Sequence, residues 1–184
     1  ATVWARRGRE SGFEAATGVA PDRTFVDGTV IPVDEGHLRI VDTPGHAPEH
    51  VAVATDEGLV AGDLAVAEGS VVVGAPEGEM RAYCSSLRRV IARAPARLFP
   101  GHGPVIDDPG ATCRRLLAHR LDRERRVEAA VADGATTVAA ITDAAYEKDL
   151  TGVRDLAEAT VTAHLEKLTV EGRIAWDGQR AGSV

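Results

Sequence analysis

Three short apolar stretches each lead directly into a loop that is rich in glycine or proline and that carries a His or an Asp. These loops are Thr-Pro-Gly-His at 43–46, Ala-Gly-Asp at 61–63 and Pro-Gly-His-Gly-Pro at 100–104. If the preceding strands share one sheet and run in the same direction, His46, Asp63 and His102 meet at one edge of it. Two imidazoles and a carboxylate suit zinc, iron or manganese. The spacing therefore predicts a metal site at the edge of a sheet.

The first 110 residues have the pattern of short strands separated by glycine-containing turns. The predicted strands are 2–5, 29–33, 38–41, 50–54, 59–61, 71–73 and 97–99. Hairpins are expected at the turns 34–37 and 55–58. Residues 77–93 change to a helical period that places Met80 and Cys84 on one apolar face, which favours a packed thiol over a reactive one.

From about residue 109 the pattern becomes helical. It predicts helices over 111–133, from 136 or 137 to 146, and over 155–171, with a short strand at 173–176. Three helices and a strand of this length suggest a small winged-helix-like module. We therefore divide the chain into a strand-rich domain at 1–110 and a helical module at 111–184.

The charge and the cysteine content narrow the classes of partner and compartment. The 184-residue chain has 21 basic and 28 acidic side chains, a net charge of −7, which argues against binding to nucleic acid through bulk charge. No apolar run approaches the length of a membrane span, so we expect no membrane partner. Cys84 and Cys113 form no disulfide framework, which fits a reducing compartment. We expect a cytoplasmic protein.

One predicted helix is basic, although the chain as a whole is acidic. Residues 114–126 contain six Arg against two acidic residues, a pattern that fits either a nucleic-acid backbone or a solvated helix face. Residues 154–173, the candidate recognition helix and its edge, have a net charge of −1. We favour packing or dimerisation for the module and keep nucleic acid as the alternative.

Taken together, the three loops resemble the third, fourth and fifth motifs of the metallo-β-lactamase fold superfamily, in the same order. The resemblance extends from about Val3 to the end, and the helical tail is similar to the β-lactamase-like protein 2 branch. It implies an α+β fold, the C-terminal portion of an αββα sandwich followed by the winged-helix-like module. It also implies two zinc ions in the intact site, with iron or manganese as alternatives. His46 would complete the first metal site, His102 the second, and Asp63 would bridge both.

The superfamily's His-x-His-x-Asp-His motif does not occur in the sequence, and none of the six His lies two residues from another. We therefore expect the chain to begin after that segment, the general base to lie within the absent segment, and metal to be missing or partial here. The intact protein would hydrolyse an ester, thioester, lactone or similar bond of a small-molecule substrate with a metal-activated water. This chain alone would be inactive, and the missing half or an oligomer partner would cover its sheet.

Two alternatives to that function stay open. One is an endoribonuclease of the β-lactamase-like protein 2 type, and the other is a truncated non-catalytic protein that acts through its helical module.

The other four histidines are not predicted as metal ligands. His50 is predicted as a half-exposed loop residue, with support of the metal site as the alternative, and His37 as solvent-facing. His119 and His164 are predicted to cap or pack the helices.

Overall fold

The computed structural model describes residues 1–34 and 36–184. The elements of the strand-rich part are β1 Trp4–Arg6, α1 Glu10–Thr17, β2 Arg23–Phe25, β3 Val30–Pro32, β4 His37–Asp42, β5 Val51–Ala54, β6 Leu59–Gly62, α2 Met80–Arg93 and β7 Leu98–Pro100. They are followed by α3 Pro109–Ala132, α4 Val138–Ala145, α5 Arg154–Val170, β8 Ile174–Trp176 and β9 Ala181–Ser183. A mixed α and β fold is confirmed. No helix within these ranges combines the length and the apolar character that crossing a bilayer requires.

A five-stranded sheet with the order β3-β4-β5-β6-β7 forms the frame of the first part. Both predicted hairpins are present, as the antiparallel pairs β3–β4 and β5–β6. Glu35, in the predicted turn at 34–37, lies outside the described residues. Because β5 is antiparallel to both β4 and β6, and β7 is parallel to β6, the strands β4, β6 and β7 all run in the same direction.

Helix α2 covers one face of this sheet. Its apolar stripe, which includes Tyr83 and Leu87, is fully buried against sheet residues such as Leu59. The helix begins at Met80 rather than at 77, because residues 74–78 form a separate turn closed by a hydrogen bond from the Gly78 amide to the Gly74 carbonyl. The sheet and α2 therefore share one apolar core.

The predicted strand at 71–73 is wrong. Within residues 1–34 and 36–184 no strand pairs with this segment, although Val71 and Val73 are buried. The Val71 and Val72 carbonyls accept hydrogen bonds from side chains, those of Arg120 and His46. An apolar run shows burial, but it does not show whether the backbone finds a strand or side chains as partners.

The sequence pattern does not predict α1, β2 or β9. Helix α1 has no buried residue and so carries no apolar stripe, and the two strands are only three residues long. Short exposed elements give too little periodicity to recognise.

Capping side chains mark where two helices of the helical part begin. Asp108 accepts a hydrogen bond from the Ala111 amide at the start of α3, and Thr137 does the same for Ala140 at the start of α4. The three helices and the β8–β9 hairpin enclose a second apolar cluster that contains Leu165. The assignment as a winged-helix-like module stays a prediction.

Candidate metal centre

The three loops singled out by the sequence lie at one edge of the sheet. Each follows a strand of the group β4, β6 and β7, which share one direction. Loops that follow strands of the same direction emerge at the same edge. The condition on which the predicted convergence depends is therefore met.

Asp63 lies between two imidazoles. Its Oδ2 is 3.8 Å from Nε2 of His46, and its Oδ1 is 3.4 Å from Nε2 of His102. Two ligand atoms, each about 2.0–2.1 Å from one tetrahedral zinc ion, lie about 3.4 Å apart. The structure thus brings the three residues together, with each carboxylate oxygen facing a different imidazole.

The orientation of the His46 ring is fixed by the backbone of the 70–73 segment. Its Nδ1 is 2.8 Å from the Val72 carbonyl oxygen, which can only accept a hydrogen bond. Nδ1 therefore carries a proton, and Nε2 is the ring nitrogen that faces Asp63. An imidazole that binds a metal through Nε2 is usually oriented by an outer contact of this kind at Nδ1.

His50 connects two of the three loops. Its Nδ1 donates to the Thr43 carbonyl at 2.9 Å, and its Nε2 accepts from the backbone amide of Asp63 at 3.1 Å. Burial lowers the pKa of His50, so the neutral ring that this arrangement needs persists at neutral pH. Of the two interpretations of His50, the geometry favours support of the site. The signal available in the sequence is its position directly before the β5–β6 hairpin that leads to Asp63.

Two glycines allow the loops to pack this closely. Gly45 has a φ of +136°, and a Cβ there would lie 2.4 Å from the backbone nitrogen and Cα of Tyr83. Gly62 has a φ of +52°, and a Cβ there would lie 2.8 Å from Nε2 of His50. Side chains larger than hydrogen would force these contacts apart.

The donor types and their spacing fit a metal ion, but their number does not complete a coordination sphere. In the part of the chain outside Glu35, no group of three or more His, Cys, Asp and Glu side chains could hold a metal ion by itself. Each of the two positions beside Asp63 has one imidazole and one carboxylate oxygen, whereas a catalytic zinc normally has three protein ligands. The three residues therefore provide donors of the types that bind metal ions, but too few to complete a site.

The remaining histidines lie apart from this centre. His37 is exposed at the start of β4, as predicted. His164 is fully buried on α5, which agrees with packing, and His119 lies on α3 beside a separate pocket. Sequence reasoning missed the Val72 carbonyl, because a backbone acceptor has no residue type that would reveal it.

Comparisons with known proteins bear on the fold and on the relatives of this chain. No family model matches the chain. The Drosophila melanogaster "Beta-lactamase-like protein 2 homolog" is 32% identical over 142 residues, which covers 75% of this chain and 47% of that protein. An Aspergillus fumigatus "Atrochrysone carboxyl ACP thioesterase" is 29% identical over 107 residues, covering 57% of this chain and 33% of that protein.

Among solved structures, a metallo-β-lactamase family protein from Thermus thermophilus superimposes with a TM-score of 0.78 at 22% identity, covering 100% of this chain and 72% of that one. This likeness, at 22% identity, shows a shared fold over the whole chain, and the sequence relatives carry β-lactamase-like names. The chain spans about half the length of the β-lactamase-like protein 2 homologue that it matches, and a smaller share of the thioesterase.

Proposed function

We propose that this chain is one part of a dinuclear metal-dependent hydrolase, with His46, Asp63 and His102 as metal ligands. The observation that supports the proposal most is Asp63, whose two oxygens face different imidazoles at 3.8 and 3.4 Å. Two bound ions, zinc by preference and iron or manganese as alternatives, would supply an activated water and stabilise negative charge on the substrate. The missing ligands and the general base come from polypeptide outside this chain, which by itself is inactive.

The residues of this chain hold the centre and leave it open to substrate. His50 fixes the backbone of Asp63, and Val72 fixes the ring of His46. The side chain of His102 is 79% exposed, whereas that of His46 is 35% exposed. His102 therefore lies on the open side of the centre, the side from which a substrate would approach.

The substrate class that we propose is an ester, thioester or lactone of a small molecule, which the similarity to a named thioesterase supports. The alternative is an endoribonuclease, which the arginines of α3 would favour if they were free. Arg120 and Arg123 instead donate to the carbonyls of Val71 and Ala145. These two side chains therefore line a recess and do not form part of an open run of cations along the helix, and we place RNA second.

The outer face of the sheet is defined by Ile40, Val53, Val60 and Phe99, which form one row across four strands on the face opposite α2. Ile40 is already buried within this chain, and we propose that polypeptide outside the chain covers the remaining part of the row. Val60 is 45% exposed, and a depression of about 410 Å³ opens beside it. Apolar rows of this kind are normally buried. The support for the occupant is that the matched relatives are much longer than this chain.

The test uses the full-length protein encoded by the open reading frame that contains this sequence. Metal content is measured by mass spectrometry, and hydrolysis is measured on thioester, lactone and structured RNA substrates. Asp63→Asn is expected to reduce metal content and to lower activity about 100-fold or more. His37→Gln, an exposed histidine away from the centre, is the matched control and keeps both. Full metal content and activity in Asp63→Asn would refute the proposal, and a preference for RNA would replace the substrate class.

A further inference from the structure

A second pocket lies behind the metal centre and is lined by basic side chains. It has a volume of about 230 Å³ and lies between α3, the segment before α5 and the 70–73 segment. Its polar lining includes His119, Arg120, Arg123 and Lys148, and no acidic side chain among the described residues lines it. A protein with a net charge of −7 has few such places. We call it the basic pocket.

Arg120 is a buried cation without a carboxylate partner. It is 4% exposed, donates to the Val71 carbonyl and lies over the Tyr83 ring at 5.5 Å. Its Nε has no hydrogen-bond partner, and the described residues provide it with no ion pair. The nearby carboxylate of Glu124 is bound by other cations. Buried charges are normally paired, so this guanidinium lacks a counter-ion.

The other basic groups add to the positive electrostatic potential of the basic pocket. Arg123 stacks on the Tyr146 ring at 3.5 Å, which fixes its guanidinium at the pocket wall. The pKa of His119 is lowered first by burial and then by the positive charges of Arg120, Arg123 and Lys148, against the opposing negative charge of Asp122.

The start of α5 gives the pocket an apolar wall. Val153 and Leu156 line it, whereas Asp155, the acidic residue in the first turn of the helix, is not among the lining residues.

We propose that the basic pocket binds a phosphate group of the small-molecule substrate and so anchors it beside the metal centre. The 70–73 segment forms the wall between the two, because the Val72 carbonyl holds His46 and the Val71 carbonyl holds Arg120. Guanidinium groups match phosphate oxygens in geometry and charge. This inference rests on the proposed hydrolase function and adds a substrate class to it, a phosphate-bearing ester or thioester.

A small molecule fits these observations better than a nucleic acid. The pocket is a recess of limited volume rather than a groove, and the chain as a whole is acidic. Binding along a nucleic-acid backbone requires a run of cations on an open face. The apolar groups of Val72 and Leu156 would contact the carbon atoms next to the phosphate.

The test is a titration of the metal-free full-length protein with methyl phosphate, in which binding is measured by the amide chemical shifts of the 70–73 segment and of residues around His119. We expect saturable shifts there and a weaker response to acetate. Lys148→Glu is expected to raise the Kd about tenfold or more, since a hydrogen bond to a charged group contributes roughly 1.5–3 kcal/mol. Arg114→Glu changes the same charge at an exposed position of α3 outside the pocket, and should leave the Kd within about twofold.

Several outcomes would overturn the proposal. These are an absence of saturable binding, equal effects of the two variants, or an RNA oligonucleotide that binds far more tightly than methyl phosphate and loses binding in Lys148→Glu. The titration involves neither metal nor hydrolysis. It therefore fails or succeeds separately from the proposed function.

Discussion

Replacing Glu124 of α3 by Gln should destabilise the protein at neutral pH but not at low pH. The Glu124 side chain is 4% exposed and lies among cations that come from α5 and the turn after it. Its Oε2 is 2.7 Å from Nζ of Lys167, and its Oε1 is 2.8 Å from Arg173. Nδ1 of His164 is 3.7 Å from the same carboxylate. One carboxylate thus joins α3 to α5 and to the strand that follows it.

The magnitude follows from the pKa of this group. Burial alone would raise it, but interactions with His164, Lys167 and Arg173 outweigh burial and lower the pKa of Glu124 from 4.5 to about 2. Since one pKa unit corresponds to about 1.4 kcal/mol, the ionised carboxylate contributes about 3 kcal/mol to the free energy of unfolding. Because the pKa is lower in the folded state, this contribution is complete above about pH 5 and is lost as the pH falls toward 2.

The measurement is urea unfolding of the wild type and Glu124→Gln at a series of pH values, followed by circular dichroism. The difference between the two free energies of unfolding should be about 3 kcal/mol at pH 7 and should fall below about 1 kcal/mol at about pH 2.5. As the pH approaches the folded-state pKa, the wild-type carboxyl becomes protonated, and both proteins then leave the same cations unpaired. Glu147→Gln, whose side chain is 84% exposed, is the control and should show little difference at any pH. A difference for Glu124→Gln that does not change with pH would refute this reasoning.

Three further outcomes are expected. Gly45→Ala should lower the free energy of unfolding by about 3 kcal/mol, because the new Cβ is strained and overlaps the backbone of Tyr83. Gly103→Ala, where a Cβ meets open space, should lower it by about 1 kcal/mol, and equal losses in the two variants would contradict the packing described. His50→Ala should cost about 2 kcal/mol because it leaves two backbone groups unpaired, and the exposed His37→Ala should change stability by less than about 0.5 kcal/mol. Burial raises the pKa of Cys113 to about 11, so its thiol should resist a disulfide reagent at pH 8 until urea is added; rapid labelling of the folded protein would show that it is accessible.

The sequence predicts the local parts of this structure better than their long-range arrangement. The alternating and helical periods locate both hairpins, α2 and the three later helices. They do so because an element that buries one face repeats apolar residues at short, regular spacings. The common direction of β4, β6 and β7 brings Asp63 between His46 and His102, but it depends on pairings between distant segments. The residue types therefore predict that the three side chains meet only if their strands share one direction, and they do not establish that direction.

The contacts that complete the metal centre and the basic pocket are harder to predict from the sequence. The Val72 carbonyl orients His46, and any residue type could supply that carbonyl. Arg120 and Lys148 are separated by 28 positions and belong to different elements, so their meeting in the basic pocket depends on the packing of α3 against the segment before α5. A charge count along α3 alone suggests a solvated face or a nucleic-acid contact instead.

The apolar core under the sheet contains three residues from the helical part, Cys113 and Leu116 of α3 and Ala163 of α5. A recombinant fragment that ended at residue 110 would lose these side chains and expose the surface of α2 that they cover. Leaving one buried aliphatic side chain in water costs about 1.5–3 kcal/mol, a sizeable share of the stability of a typical domain. Such a fragment would be prone to aggregate. Anyone who exchanges substrate-binding elements between relatives of this protein should therefore transfer α3 and α5 together with the sheet that they support.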